Sequence, residues 1–109
     1  MKLSSNNILD HFIDIQASRV ILDNLSIKGN IKNQQSIFGI LADNQKDITF
    51  NNLEIFNVYD AIKLSHTENI LLSNSKILNV NRGINLEEAQ NTILDSMLVF
   101  NDTEGLIVQ

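Results

Sequence analysis

The side chains best suited to chemistry in this sequence are one histidine and a group of carboxylates. They are His66, Glu68, Glu87 and Glu88, with Asp43 nearer the N-terminus. Carboxylates that converge on a bend could hold Ca²⁺, which prefers oxygen ligands. His66 beside Glu88 could also serve as a proton-transfer pair. The alternative is a solvated acidic turn with no ligand, and we favour that interpretation because charged clusters are more often structural.

A repeat with a period of 22 residues would bring these side chains together. Residues 47–57 return as residues 69–79, and residues 61–64 return as residues 83–86. A fixed period of this size is typical of stacked-repeat architectures. The predicted organisation is an N-terminal cap or partial coil followed by four repeats, over residues 1–18, 19–46, 47–68, 69–90 and 91–109.

Apolar residues alternate within each repeat, as in the pairs Ile48/Phe50 and Leu53/Ile55. This pattern predicts three short strands per repeat, separated by bends. We therefore predict an all-β fold, a right-handed parallel β-helix of about four to five coils at about 4.8 Å per coil. Asn7 could cap a short N-terminal helix, or that segment could form a partial coil. A leucine-rich repeat is a minor alternative.

Asparagine is abundant and recurs at the predicted bends, while proline is absent and glycine is scarce. Asparagine therefore becomes the main candidate for building the turns. Stacked amides can bond each other along the axis, which predicts a structural ladder of Asn57, Asn79 and Asn101. A small residue recurs just before the third strand of each repeat, and Ala61 in that column indicates crowding rather than an obligatory positive φ. The members of this column are Gly39, Ala61, Gly83 and Gly105.

The charge balance excludes some classes of partner. The net charge of −5 argues against nucleic acid or an anionic membrane surface. The absence of cysteine excludes a disulfide framework and a thiolate metal site. No apolar run approaches the roughly 20 residues of a membrane span, and no secretory signal is visible at the N-terminus. The pairs Glu54/Lys76 and Asp60/Arg82 should form exposed charge ladders of about 0.2–1 kcal/mol each.

Two columns of apolar residues should point outward along the stack. A monomer rarely leaves a long apolar row in water, and the unpaired edge of the last coil should recruit strands. The sequence therefore predicts self-association, although the second column could instead turn inward and extend the core. The first column is Ile21, Thr49, Leu71 and Ile93, and the second is Phe56, Leu78 and Phe100.

The elements Ile-x-Phe/Leu-x-Asn-x-x-Ile-x-Asn and Gly-Ile-x-Leu resemble the parallel β-helix repeat of the pectate-lyase-like superfamily, over roughly residues 19–109. The resemblance implies a fold shared by polysaccharide lyases, glycoside hydrolases, phage tailspikes, adhesins and silent modules, with a bias towards extracellular or phage proteins. Enzymes of this superfamily cluster carboxylates on one outer strand face. The equivalent column here has one carboxylate; its members are Asp14, Leu41, Lys63, Asn85 and Ile107.

The leading hypothesis is therefore a non-catalytic structural module that assembles with itself or with a larger protein. The main alternative is a carbohydrate-binding or polysaccharide-cleaving domain, for which Tyr59 and a few phenylalanines make a thin platform. A third is an intracellular interaction scaffold. No cofactor is predicted apart from the Ca²⁺ considered above.

Overall fold

Strands make up the secondary structure of the chain. The computed structural model describes residues 2–4, 8–9, 13–29 and 38–108, with side chains for 13–29, 38–100 and 105–108. No helix occurs in these residues. The strands in chain order are β1 (Lys2–Ser4), β2 (Ile8–Leu9), β3 (Ile13–Ile15), β4 (Val20–Asp23), β5 (Ser26–Lys28), β6 (Phe38–Asp43), β7 (Lys46–Asn51), β8 (Glu54–Phe56), β9 (Asp60–Ser65), β10 (Glu68–Ser73), β11 (Lys76–Glu87), β12 (Gln90–Asp95) and β13 (Leu98–Val108).

The strands stack in parallel, each on its counterpart from the next coil. One sheet has the order β1-β4-β7-β10-β12, and the other has the order β2-β5-β8-β11-β9-β6-β3 with β13 on β11. The long strand β11 continues both β8 and β9, so two strand positions of the earlier coils join in it. Its register places Ile70 on Ile48 and Ile84 on Ile62, which is the predicted offset of 22 residues. The predicted parallel β-helix is therefore confirmed.

The number of coils is slightly lower than expected. The solenoid has about three turns, compared with the four to five coils predicted. The uninterrupted part of the stack runs over residues 38–108, whereas residues 5–7, 10–12 and 30–37 in the earlier coils lie outside the described residues. The sequence count included those segments. The three-strand coil also replaces the leucine-rich repeat alternative.

The N-terminal segment contributes strands. Leu3 pairs with Leu22, Leu9 with Ile27, and Ile15 with Ala42. The helix proposed to start at Asn7 is therefore wrong over the described residues. Its apolar pattern instead matches strands because each strand gains a full parallel ladder of backbone hydrogen bonds from the coil above.

The corners are formed by residues with a left-handed backbone. Thirteen residues have positive φ, and none of them is glycine. Asparagine dominates this set because its short polar side chain tolerates the left-handed region. The prediction that asparagine builds the turns therefore fits the backbone. The asparagines concerned are Asn24, Asn44, Asn52, Asn57, Asn69, Asn74, Asn79 and Asn91.

The small-residue column is crowded, as the sequence indicated. A Cβ atom on Gly83 would lie 2.5 Å from the backbone oxygen of Gly105 and 2.8 Å from Val99 Cγ1. At Gly39 it would lie 2.6 Å from the backbone oxygen of Ala61. Since no glycine has positive φ, close approach of the coils is the reason for these small residues.

The core is a column of aliphatic side chains inside the coils, with Phe50 as its largest fully buried ring. Each such Leu, Ile or Phe side chain contributes roughly 1.5–3 kcal/mol on burial. Outward and inward residues alternate along β7 and β10, as period-two strands require. The outer corners and faces described next are therefore held by a rigid stack.

Candidate functional site

His66 joins three successive coils at one corner. Its Nδ1 atom lies 3.2 Å from Asp43 Oδ1, and its Nε2 atom lies 2.8 Å from Glu88 Oε2. Asp43 belongs to the coil before His66, and Glu88 belongs to the coil after it. A protonated imidazole can donate from both nitrogens, so this arrangement favours the charged form.

The backbone of the corner explains this placement. Asn44, His66 and Glu88 follow one another at intervals of 22 residues, and all have positive φ, between 50° and 58°. His66 N–H donates to the backbone oxygen of Glu87 at 2.8 Å, and Asn44 N–H donates to that of Ser65 at 3.0 Å. The stack therefore places like corners over one another and brings their side chains into contact.

The surrounding carboxylates raise the pKa of His66. The largest cause is the hydrogen bond to Asp43, and the negative charges of Glu88, Asp43 and Glu87 act in the same direction against a smaller effect of desolvation. All the contacting side chains are largely in water. The corner therefore resembles a solvated ion-pair cluster.

The predicted calcium ligands share one region. Glu68 and Glu88 line a shallow groove with His66, and Glu87 lines a neighbouring groove with His66 and Asp43. Within the described ranges, however, no three His, Cys, Asp or Glu side chains are placed to hold a metal ion. Calcium binding here stays a prediction, and the geometry favours the solvated acidic turn.

The first outward apolar column lies where the sequence places it. Ile21, Leu71 and Ile93 are exposed, and Thr49 is half-buried. Their backbone registers connect them directly across β4, β7, β10 and β12. We call this column the apolar stripe.

The second column is also on the outside, but less evenly. Phe56 is half-buried, Leu78 is exposed, and Phe100 is 62% exposed. Sequence reasoning missed Leu98, which is also exposed on the same strand as Phe100. The same alternation that marks Phe100 as outward would have found it.

The asparagine ladder has two described rungs. Asn79 Nδ2 donates to Asn57 Oδ1 at 2.7 Å. The third predicted member, Asn101, pairs through its backbone with Val80 across a register shift, and its side chain lies outside the described residues. A stack at Asp47, Asn69 and Asn91 was missed, although these residues also recur at 22-residue intervals. In it, Asn69 Nδ2 donates to Asp47 Oδ1 at 3.1 Å and Asn91 Nδ2 donates to Asn69 Oδ1 at 3.2 Å.

The predicted charge pairs fall in register, but one of them is not exposed. Glu54 pairs with Lys76 in the backbone ladder, and Asp60 pairs with Arg82. Asp60 is buried, with its Oδ1 atom 3.7 Å from Arg82 Nε. Burial strengthens this interaction and makes each partner more costly to remove.

Comparison with protein-family models gives one match, described as "Periplasmic copper-binding protein (NosD)", over residues 3–109. No curated protein and no solved structure is significantly similar to the chain. None of the described residues forms a helix long and apolar enough to cross a membrane.

The donor set is a poor fit to copper. Copper sites use thiolate, thioether and imidazole ligands, whereas this chain has no cysteine, two methionines and two histidines. Met97 packs against the core. Asp43 and Glu88 contact opposite nitrogens of His66, so one ion at that ring could take only one of these carboxylates. The described residues therefore do not fit a copper centre.

Proposed function

Because the chain belongs to the NosD family of parallel β-helix proteins, we propose that it is a non-catalytic structural module that associates through its apolar stripe and its open last coil. NosD is described as a periplasmic family, so we place this role in the periplasm or outside the cell. The partner is a second copy of the chain or a larger protein.

The apolar stripe is the observation that carries this proposal. Ile93 is 60% exposed, and Ile21 and Leu71 are also exposed on the same sheet face. Side chains at these positions sit on rigid parallel strands, so they cannot turn away from water without breaking the ladder. Association would remove this apolar surface from water and so be favourable.

The aromatic side chains give little support to the glycan alternative. The Arg82 guanidinium lies over the Tyr59 ring at 5.7 Å from its centroid, and Lys63 Nζ lies over the Phe38 ring at 6.0 Å. Rings covered by cations offer less free face for stacking on a sugar. A polysaccharide ligand is therefore the weaker proposal.

Light scattering after size-exclusion chromatography tests the association. The wild-type chain should elute as an assembly whose mass rises with concentration. The double variant Leu71→Lys/Ile93→Lys should have a lower mass, because two charges would replace the centre of the stripe, and its circular dichroism spectrum should be unchanged.

A matched control separates the loss of apolar surface from the change in charge. Glu68→Gln/Gln90→Lys changes the net charge by the same two units on the same strands, β10 and β12, and leaves the stripe intact. This control should retain the wild-type mass. A wild-type chain that stays monodisperse and monomeric at high concentration would contradict the proposal.

A further inference from the structure

The inner columns of the stack are uncovered at the last coil. Leu106 continues the column of Ile84, and Val108 continues that of Leu86. Ile84 and Leu86 are 2% and 7% exposed, whereas Leu106 and Val108 are 53% and 70% exposed. These side chains have the same inward positions, so their exposure reflects the missing cover of a further coil.

The backbone at this coil is also paired on one side. Among the described strands, β12 pairs with β10 and β13 pairs with β11. The strands β1, β2 and β3 likewise pair on one side, with β4, β5 and β6. The described stack therefore has two free edges, and all of its strands run in the same direction.

The two edges carry the same column pattern. By backbone register, Leu3 belongs to the column that ends at Leu94, and Leu9 belongs to the column that ends at Val99. In the same way, Ile13 and Ile15 continue to the two exposed residues Leu106 and Val108; the intermediate members are Ile40, Ala42, Ile62, Leu64, Ile84 and Leu86. An apolar position therefore faces an apolar position if one edge is placed on the other.

We propose that a second copy docks head to tail, with its β1–β3 edge on the β12–β13 edge of the first, so that every inner column continues across the junction. This inference rests on the proposed self-association and specifies its geometry. A parallel approach preserves the column register, whereas a two-fold approach of the same edges would make the strands antiparallel and lose it.

Head-to-tail docking is a heterologous contact that does not close on itself. Each added copy presents a new free edge, so the product is an open filament. Each copy carries a net charge of −5, which opposes growth by repulsion. Added salt should therefore lengthen the assemblies, because it screens that repulsion.

A variant with a blocked β12–β13 edge gives a directional test. Leu106→Lys/Val108→Lys replaces two exposed side chains, so the folded monomer should survive, as checked by its circular dichroism spectrum. Its β1–β3 edge remains intact. The variant alone should be unable to extend a stack, but it should dock onto the free end of a wild-type assembly and stop further growth.

Light scattering of mixtures measures this effect. One variant chain among ten should limit the mean wild-type assembly to about ten copies, since each variant ends one filament. The proposal is overturned if the variant alone retains wild-type mass, if the variant fails to shorten wild-type assemblies, or if the wild type is monomeric.

The stripe variant distinguishes this inference from the proposed lateral association. If Leu71→Lys/Ile93→Lys lowers the mass while the blocked-edge variant behaves as wild type, lateral packing is supported and head-to-tail docking fails. If only the blocked-edge variant terminates growth, head-to-tail docking is supported and the stripe contributes nothing.

Discussion

Asn79 donates a side-chain hydrogen bond of 2.7 Å to Asn57, one coil earlier, and both residues have positive φ, at 55° and 61°. One residue type thus meets two requirements of the corner: a left-handed backbone and an amide that bonds to its counterpart. The two requirements can be separated by mutation.

Asn79→Ala should lower the free energy of unfolding by about 1–2 kcal/mol, because alanine has neither the amide nor a tolerance for positive φ. Asn79→Gly loses the amide and keeps the backbone freedom, so its loss should be smaller. Urea unfolding followed by circular dichroism measures both. Equal losses in the two variants would show that the backbone conformation contributes nothing.

Gly83→Ala should destabilise the fold by about 1–3 kcal/mol, because the new Cβ atom would meet the backbone oxygen of Gly105 at 2.5 Å. Backbone atoms cannot rotate away as a side chain can. Ala61→Gly, in the same column, is the control and should cost about 1 kcal/mol or less, through chain entropy. Wild-type thermal stability in the Gly83→Ala variant would contradict the crowding argument.

Phe50→Ala and Phe100→Ala remove the same atoms from different environments. Phe50 is fully buried and should cost about 3–5 kcal/mol, whereas Phe100 is largely exposed and should cost about 0.5 kcal/mol or less. Chemical denaturation at low protein concentration keeps association out of the comparison. A large loss for Phe100→Ala under these conditions would show that its column turns inward.

The fold should lose a small amount of stability as the pH rises through the raised pKa of His66. The carboxylates raise this pKa in the folded state, so the contribution is fully present below the unfolded pKa and disappears as pH rises through the folded one. Melting temperatures across the range from mildly acidic to mildly alkaline pH measure it.

His66→Asn should remove this pH dependence. Asparagine keeps the left-handed corner, as Asn44 does in the same column, and it does not titrate in this range. An unchanged pH profile in the variant would assign the dependence to other groups.

Metal ions should have little effect on folding. The described residues do not converge on one ion, so EDTA, Ca²⁺ or Cu²⁺ should leave the melting temperature unchanged. A saturable rise with Ca²⁺ that Glu87→Gln/Glu88→Gln abolishes would instead support the predicted calcium site.

The sequence predicted the parts of the fold that depend on periodicity. The 22-residue offset placed Ile70 on Ile48, and alternation along the strands marked Leu71 as outward. Both follow because identical side chains stack only when successive coils are in register. The crowding at Gly83 was also readable, since a small residue recurs at that place in every repeat.

Other features depend on local twist and neighbouring atoms, which periodicity does not contain. The register shift that sets Asn101 against Val80 interrupts the predicted ladder without any gap in the repeat. Asp60 is buried because of how the chain bends before β9, so its pairing with Arg82 could be foreseen but its burial could not. At His66 the repeat predicted the neighbourhood, whereas the opposite placement of Asp43 and Glu88 required coordinates.

The regular offset between β7 and β10 has a practical consequence for the length of the molecule. Residues 47–68 form one whole repeat, and the segments on either side of it already share the same backbone register with it. Excising or duplicating this unit should therefore change the height of the protein in a single step of about 4.8 Å and leave its cross-section unaltered. The chain can in this sense serve as a molecular spacer whose size is adjustable in quanta.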